Sequence, residues 1–509
     1  MLTVAGLILL TVILALYNRV ITYRHGFLPP PKTTVHFILV FMRPLFVVAF
    51  CLAVIGCTAP QDQLTKPSIP EINQIEPGLS GSAGKISEQW WVGLNDPQLT
   101  QVIELALAKS PSIEIAGTRI AAAQAIARAQ QASLAPQVGF SAQIDEQQFS
   151  QNYIFVPGMQ IYNGYGFVQA NMNWSLDLWG KQRKYFDAAN QRVKAAQFNV
   201  AAAKLILSST IAKVYADFDH AHQLKILSVK ELDLRDRLYQ IAIARQRAGV
   251  IDALDAKQKL VDRDLAQGRL TQADLAIKVL QHQLAALAQQ GPTWGEKLQA
   301  PKLDSFNGEL PNVIPANLLA RRPDLQVLLA QITAADLDVD AAKLEYLPDV
   351  NLQAYAGFQS IGLPLLFQSA SQAFSIGPVL SLPIFEGGRI AANALGKEAA
   401  RNERIATYQD QLTTALKEAA DGIATVKSTS VELTQVQRAL ADSRSYWQIQ
   451  QQRKIAGLTS SDNVFNAELT VVQQQKQVLD TRTRSLSARI SLIQALGGSF
   501  ETPTDHTAN

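Results

Sequence analysis

The sequence predicts an α+β membrane protein in which short β-hairpins supply part of a barrel and very long helices continue it. Three observations carry that prediction. Two stretches alternate apolar and uncharged polar residues with a period of two. Two helical stretches run from Lys181 and from Arg389 to the residue before Gly249 and Gly457, 68 residues each. Finally, the two halves of the chain repeat one another.

The repeat shows in its prolines. Pro111 in "SPSIEI" answers Pro323 in "RPDLQV" 212 residues later, and Pro136 in "LAPQV" answers Pro348 in "LPDV" at the same offset. Past the hairpins the offset is 208, relating Lys181 in "WGKQR" to Arg389 in "GGRI" and Ala248-Gly249 to Ala456-Gly457. The change falls between strands, where loops tolerate insertions. So long a period is no solenoid repeat; it marks duplication of a whole structural unit.

The apolar fraction is 48%, much of it alanine, with 7% aromatic and 17% charged residues. Stretches such as "AAAQAIARAQQASLA" make good helices with small side chains but poor bulky cores. A scattered net charge of +3, without a basic run interleaved with aromatics, gives no basis for a nucleic-acid partner. No nucleophile–base pair, phosphate loop or metal-ligand spacing is present, so no enzyme, catalytic residue, cofactor or metal is expected. His220 and His222, two apart on a helix, point to different faces and make a poor metal pair.

At the N-terminus, "MLTVAGLILLTVILALY" approaches the length of a membrane span. "PLFVVAFCLAVIG" is shorter and follows Met42-Arg43, as the apolar part of a secretory signal does. It ends Val54-Ile55-Gly56-Cys57, and a small residue before cysteine is what a bacterial lipoprotein signal requires. Cleavage before Cys57 would leave a cysteine carrying two or three acyl chains, enough for stable anchoring. Thr58 stands where signals that retain lipoproteins at the inner membrane have Asp. Residues 1–56 are therefore expected to be an upstream extension plus signal peptide starting at Met42, and 57–97 a lipidated segment. Cys51 would leave with the signal, so no disulfide is possible.

Residues 98–290 form the first repeat. A helix of about two dozen residues, near 36 Å long, leads into a hairpin over 136–178. There Val138, Phe140, Ala142 and Ile144 alternate with Gln137, Gly139, Ser141 and Gln143; the return strand carries Val168, Ala170, Met172, Trp174, Leu176 and Leu178 on one side. After a linker over 291–322, the second repeat over 323–498 has its hairpin at 348–385, with Val350, Leu352, Ala354, Ala356 and Phe358, then Phe374, Ile376, Leu380, Leu382 and Ile384. Residues 499–509 are a tail. Strands of about ten residues with a Gln/Asn/Ser face are the pattern of an outer-membrane barrel. Four strands cannot close one, and open edges do not occur in lipid. Copies of the chain must therefore pool their strands.

Each 68-residue stretch, if continuous, forms a helix about 100 Å long. Heptad spacing runs through Phe186, Val193, Val200, Leu207, Val214 and Ala221 with Ala189, Ala196 and Ala203, and through Leu412, Ala419, Val426, Leu433, Leu440 and Trp447. Gly249 and Gly457 break the runs, and return helices follow over roughly 252–290 and 460–496.

Trp90-Trp91 with "LNDPQLTQVIELALAKSPSIEIA", the paired "LAPQV" and "LPDV", and "LDLWGKQR" with "LPIFEGGRI" resemble the TolC-like outer-membrane efflux channels, most closely the lipidated drug-efflux (NodT-type) branch, over roughly residues 86–498. The resemblance implies a homotrimer: a twelve-stranded barrel with four strands per chain, in outer-membrane lipid, continued by a helical tunnel through the periplasm. It also implies a periplasmic adaptor (membrane fusion) protein and an inner-membrane pump as partners, with drugs or other small molecules as cargo. On that resemblance Ala248, Gly249 and Val250, with Ala456, Gly457 and Leu458, are adaptor-contact tips. Asp255, Asp462, Asn463 and Asn466 stand where the family rings its periplasmic gate with carboxylates; Lys454 and Thr459 stand where some members have the Tyr and Arg that tie it shut. Competing expectations are the channel of a type I-like polypeptide secretion system and a trimeric coiled-coil adhesin. Two internal hairpins argue against the adhesin, which usually places its barrel segment at the C-terminus.

Overall fold

The computed structural model describes residues 63–70, 89–148, 162–303 and 321–498. The signal, Cys57, linker residues 304–320 and the tail over 499–509 lie outside the described residues.

A short 3-10 turn, Trp90–Leu94, precedes α1 (Pro97–Lys109) and α2 (Pro111–Ala132). Strands β1 (Gln137–Gln148) and β2 (Tyr162–Ser175) follow, then α3 (Lys181–Arg247) and α4 (Ala253–Leu287). The second half gives α5 (Pro323–Leu344), β3 (Asp349–Ile361), β4 (Gln372–Ser381), α6 (Arg389–Ile455) and α7 (Ser461–Ala495). Pro97, Pro111 and Pro323 each open a helix, where a missing N–H costs nothing. Asp96 caps α1 by accepting from the N–H groups of Gln98 and Leu99 at 2.8 and 3.2 Å.

Helices α3 and α6 are each 67 residues long and unbroken, about 100 Å at 1.5 Å per residue. Each begins after a glycine in the left-handed region, Gly180 (φ +77°) and Gly388 (φ +88°). Here the strands end earlier than the alternation suggested. Leu176 and Leu178 lie beyond β2, and Leu382 and Ile384 lie beyond β4. In the first repeat Asp177 turns the chain with φ +42°, and its carboxylate accepts from the N–H groups of Gln182 and Arg183, both at 2.9 Å. Trp179 Nε1 donates to the Pro348 carbonyl at 2.7 Å and Lys181 pairs with Asp349 at 2.7 Å, tying this corner to the start of β3. In the second repeat Pro383 and the positive-φ pair Gly387-Gly388 do the turning.

The strands form one antiparallel sheet in the order β1-β2-β3-β4, so the two hairpins join through β2 and β3. The register aligns the faces. Val138 pairs with Met172, Met172 with Ala354 and Ala354 with Ile376; Phe140, Ala170, Ala356 and Phe374 form the next row. The opposite face carries rows such as Gln137, Asn173, Gln353 and Gly377. Val138, Phe140, Phe374 and Ile376 stand exposed, and among the described residues the outer edges of β1 and β4 have no strand partner.

Among the described residues the two larger apolar cores lie among the helices. In one, Trp90, Trp91, Leu99 and Ile103 pack against Tyr215, Phe218 and Leu284. In the other, Leu325 and Ile332 of α5 meet Ile405, Leu412 and Ala419 of α6 and Leu492 of α7. Of the expected heptad positions, Ala189, Ala196, Val214, Ala221, Leu412 and Ala419 are buried; Phe186, Val193, Val200, Leu207, Val426, Leu433, Leu440 and Trp447 are half-buried. The reason is that α3 serves two sets of neighbours, α2 and α5 near the sheet, and α4 and α7 toward the tips. One seam cannot satisfy both. The extended segment 63–70 lies against α5 and α6: Leu64 N–H donates to Glu398 at 2.8 Å, and Lys66 pairs with Asp336 at 2.7 Å. Among the described residues no helix is long and apolar enough to cross a membrane.

Candidate functional site

The site is the pair of helical turns at the end of the molecule remote from the sheet. Both have the same geometry. Gly249 and Gly457 share φ +71°, and the Val250 and Leu458 N–H groups reach back to Arg245 O and Arg453 O at 2.9 and 2.8 Å. Companion bonds run from Gly249 N–H to Gln246 O and from Gly457 N–H to Lys454 O, both at 3.0 Å. These six-to-one and five-to-two bonds make Schellman ends, whose left-handed residue is best supplied by glycine. Val250, Leu254, Ile455 and Leu458 project from the tips as exposed apolar side chains, while Ala248 and Ala456 close the helices.

After the first tip, Asp252 caps α4 by accepting from Leu254 and Asp255 N–H at 2.8 and 3.0 Å. Asp255 is exposed in the first helical turn, and among the described residues no salt bridge reaches it. After the second tip the residues interlock. Asp462 Oδ2 pairs with Arg245 Nη1 at 2.5 Å, joining the start of α7 to the end of α3. Its Oδ1 is enclosed without a hydrogen-bond partner among the described residues. Asn463 Nδ2 donates to Thr459 Oγ1 at 3.0 Å. Lys454 and Arg237 each lie 5.8 Å from the centre of the Phe465 ring. The Asn466 carbonyl accepts from Thr470 Oγ1 at 3.1 Å, an ordinary helical back-bond.

The fold thus brings Lys454, Thr459, Asp462 and Asn463 together at one tip, whereas Asp255 belongs to the other hairpin. Sequence reasoning missed Arg245, Arg237 and Phe465. It also missed the ionic rungs above them between α3 and α7: Lys230–Glu468 at 3.0 Å, and Glu231 with Lys476 at 2.6 Å and with Arg269 of α4 at 2.7 Å. Burial alone would raise the Glu231 pKa, but hydrogen bonds from Lys476 and Arg269 outweigh it and hold the carboxyl below its ordinary range. Higher on the same seam His220 Nε2 meets Asp480 Oδ1 at 2.6 Å, while His222 lies edge-on to Phe218, its pKa lowered chiefly by burial.

Among the described residues, a sheet with an exposed apolar face and two edge strands, continued by two long helical hairpins, is the architecture of a passive outer-membrane channel that extends into the periplasm. The chain belongs to the outer membrane efflux protein family, whose profile matches residues 102–289 and 314–498. It is 28% identical over 429 residues to the multidrug resistance outer membrane protein MdtQ of Escherichia coli O6:H1, covering 81% of this chain and 88% of that protein. To the fusaric acid resistance protein FusA of Burkholderia cepacia it is 30% identical over 361 residues, 68% of each chain. Among solved structures, the outer membrane protein VceC of Vibrio cholerae superposes with a TM-score of 0.74 at 29% identity, over 82% of this chain and all (100%) of that one. The Campylobacter jejuni CmeC outer membrane channel shares the fold at 21% identity, with a TM-score of 0.73 over 88% of this chain and 96% of that one.

Proposed function

We propose that three copies of this chain close a twelve-stranded barrel and a helical tunnel, forming the gated exit duct of a tripartite efflux system. The observation that carries this reading is the sheet: its apolar face is exposed, and among the described residues β1 and β4 keep unpaired edges that lipid does not tolerate. A neighbouring copy satisfies both edges at once, β4 of one against β1 of the next. The helices support the same assembly. Toward the tips they lie in the order α4-α3-α7-α6, leaving α4 and α6 as lateral flanks. Along α4 an exposed stripe of Leu254, Val261, Leu265, Leu275 and Val279 awaits the flank of the next copy.

Cys57 anchors the N-terminus through lipid in the outer membrane. The exposed apolar tips, Ala248-Gly249-Val250 and Ala456-Gly457-Leu458, receive a periplasmic adaptor, and an inner-membrane pump supplies the energy. Asp255, Lys454, Thr459, Asp462, Asn463 and Asn466 surround the closed end of the tunnel. Three Asp255 carboxylates there favour cations. The names of the relatives, multidrug and fusaric acid resistance, point to small organic toxicants as cargo.

Deleting the chain from its host, with the cognate pump expressed, should raise accumulation of pump substrates across a broad compound panel. Unchanged accumulation and susceptibility would overturn efflux as the function. Cys57→Ser should abolish incorporation of radiolabelled palmitate, and persistent labelling would remove the lipid anchor.

A further inference from the structure

The connection between β3 and β4 folds onto the apolar face of the sheet and away from its polar face. Even-numbered residues of β2 share the apolar side with Val168 and Met172, so Gly164 and Gly166 leave two gaps there. Leu363 fills them. A Cβ added to Gly164 would lie 2.9 Å from Leu363 Cγ, and one added to Gly166 would lie 3.1 Å from Leu363 Cδ2 and 3.4 Å from Leu366 Cδ2. The Phe367 ring packs edge-on against Phe358, which lies on the same face, with centroids 5.9 Å apart. Gly362 N–H donates to Gly164 O at 2.6 Å, and Ser371 Oγ donates to Leu365 O at 2.8 Å, fixing the loop in this position.

Leu366 is only 3% exposed and pins the loop, yet Phe367 is 72% exposed, with Leu363 and Leu365 open beside it. No Asp, Glu, Lys or Arg occurs between Asp349 and Glu386. Past Asp349, neither the loop nor its two flanking strands carries a charge to interrupt these three large apolar side chains, and the nearest carboxylate on this face is Glu146 of β1, exposed opposite Gly164; an apolar patch of this size marks a contact surface. The patch lies on the same face of the sheet as the exposed apolar band of Phe140, Phe374 and Ile376.

We propose that the loop Gly362–Ser371 lies in the membrane, its Leu363, Leu365 and Phe367 side chains set among lipid acyl chains as a cuff around the end of the sheet remote from the helices. It widens the apolar band where β2 has glycines, and it is no lid over the pore. This rests on the reading that the apolar face of the sheet meets lipid.

The test is site-directed nitroxide labelling of the full-length assembled protein in phospholipid vesicles. Single cysteines replace Phe367 and, separately, Leu365; Phe374→Cys marks the apolar face and Gln143→Cys the polar face. Collision with oxygen, which concentrates in acyl chains, is compared with collision with a water-soluble nickel chelate. Phe367→Cys and Leu365→Cys should match Phe374→Cys, with an oxygen-to-nickel ratio several-fold above that of Gln143→Cys. A ratio like that of Gln143→Cys overturns the proposal, placing the loop in water. Protection from both reagents also overturns it, because a protein surface then covers the loop. If Phe374→Cys itself collides mainly with nickel, the barrel reading fails along with the loop.

Discussion

Arg245 and Asp462 stand at opposite kinds of helix end, and each end favours the charge it carries. Arg245 lies in the last turn of α3, Asp462 in the first turn of α7. Their bridge is the one ion pair at the tips that joins the two repeats among the described residues. Because both side chains are partly exposed, a coupling of about 0.5–1 kcal/mol is expected after solvent screening. If the tips form the proposed gate, that is enough to shift a near-balanced equilibrium. Arg245→Ala and Asp462→Ala should each raise the conductance of the channel in planar bilayers, and the exchanged pair Arg245→Asp with Asp462→Arg should restore part of the closure. Equal conductance in all four proteins would show that the bridge does not hold the gate. Asp255→Ala should lower cation selectivity, read as a smaller reversal potential across a salt gradient.

Glu231 gives a prediction about pH. Its folded-state pKa is depressed, so the stability it contributes is complete above its unfolded value and is lost as pH falls through the folded one. Wild type should therefore melt above Glu231→Gln at neutral pH, with the gap narrowing as pH falls below the ordinary glutamate value of about 4.3. A gap independent of pH would mean that packing, not ionisation, is what Glu231 supplies. These residue-scale partners were the least legible in the sequence. Asp462, Asn463, Lys454 and Thr459 could be read only through the family resemblance, and Arg245 lies 217 residues from its partner. Nothing in helical periodicity states that the end of α3 packs beside the start of α7.

At the scale of elements the sequence was far more explicit. Alternation gave the strand faces, and the glycines gave the helix ends, because both follow from local geometry. The corners were misread because Leu176 and Leu178 keep the rhythm after Asp177 has already turned the backbone. Gly357 had no visible reason to be glycine until β2 and β3 were paired. A Cβ there would stand 2.1 Å from Val168 O and 2.5 Å from Gln169 Cα. Gly357→Ala should therefore force β2 and β3 apart and sharply reduce membrane-inserted protein on fractionation. Gly139→Ala, in open space on β1, should insert normally. At the tips nothing crowds Gly249, so Gly249→Ala bears only the left-handed backbone cost of roughly 1–2 kcal/mol. It should insert fully while losing cross-linking to the adaptor; retained cross-linking would separate the turn's shape from docking.

For the whole molecule, the decisive feature is what the single chain leaves unfinished. Leu265→Asp, on the exposed stripe of α4, should leave helix content by circular dichroism unchanged but abolish the oligomer band on mild gels. An intact oligomer would place the contact between copies elsewhere. The open edges of β1 and β4 also have a genetic consequence. If three copies seal edge to edge as proposed, one faulty subunit spoils the two sound ones beside it. With equal expression of sound and faulty copies and random mixing, only about one ring in eight is free of the fault. A lesion that spares edge pairing but blocks the duct should therefore be dominant over the wild-type gene, whereas one that destroys the edges should be recessive, because its product never joins a ring.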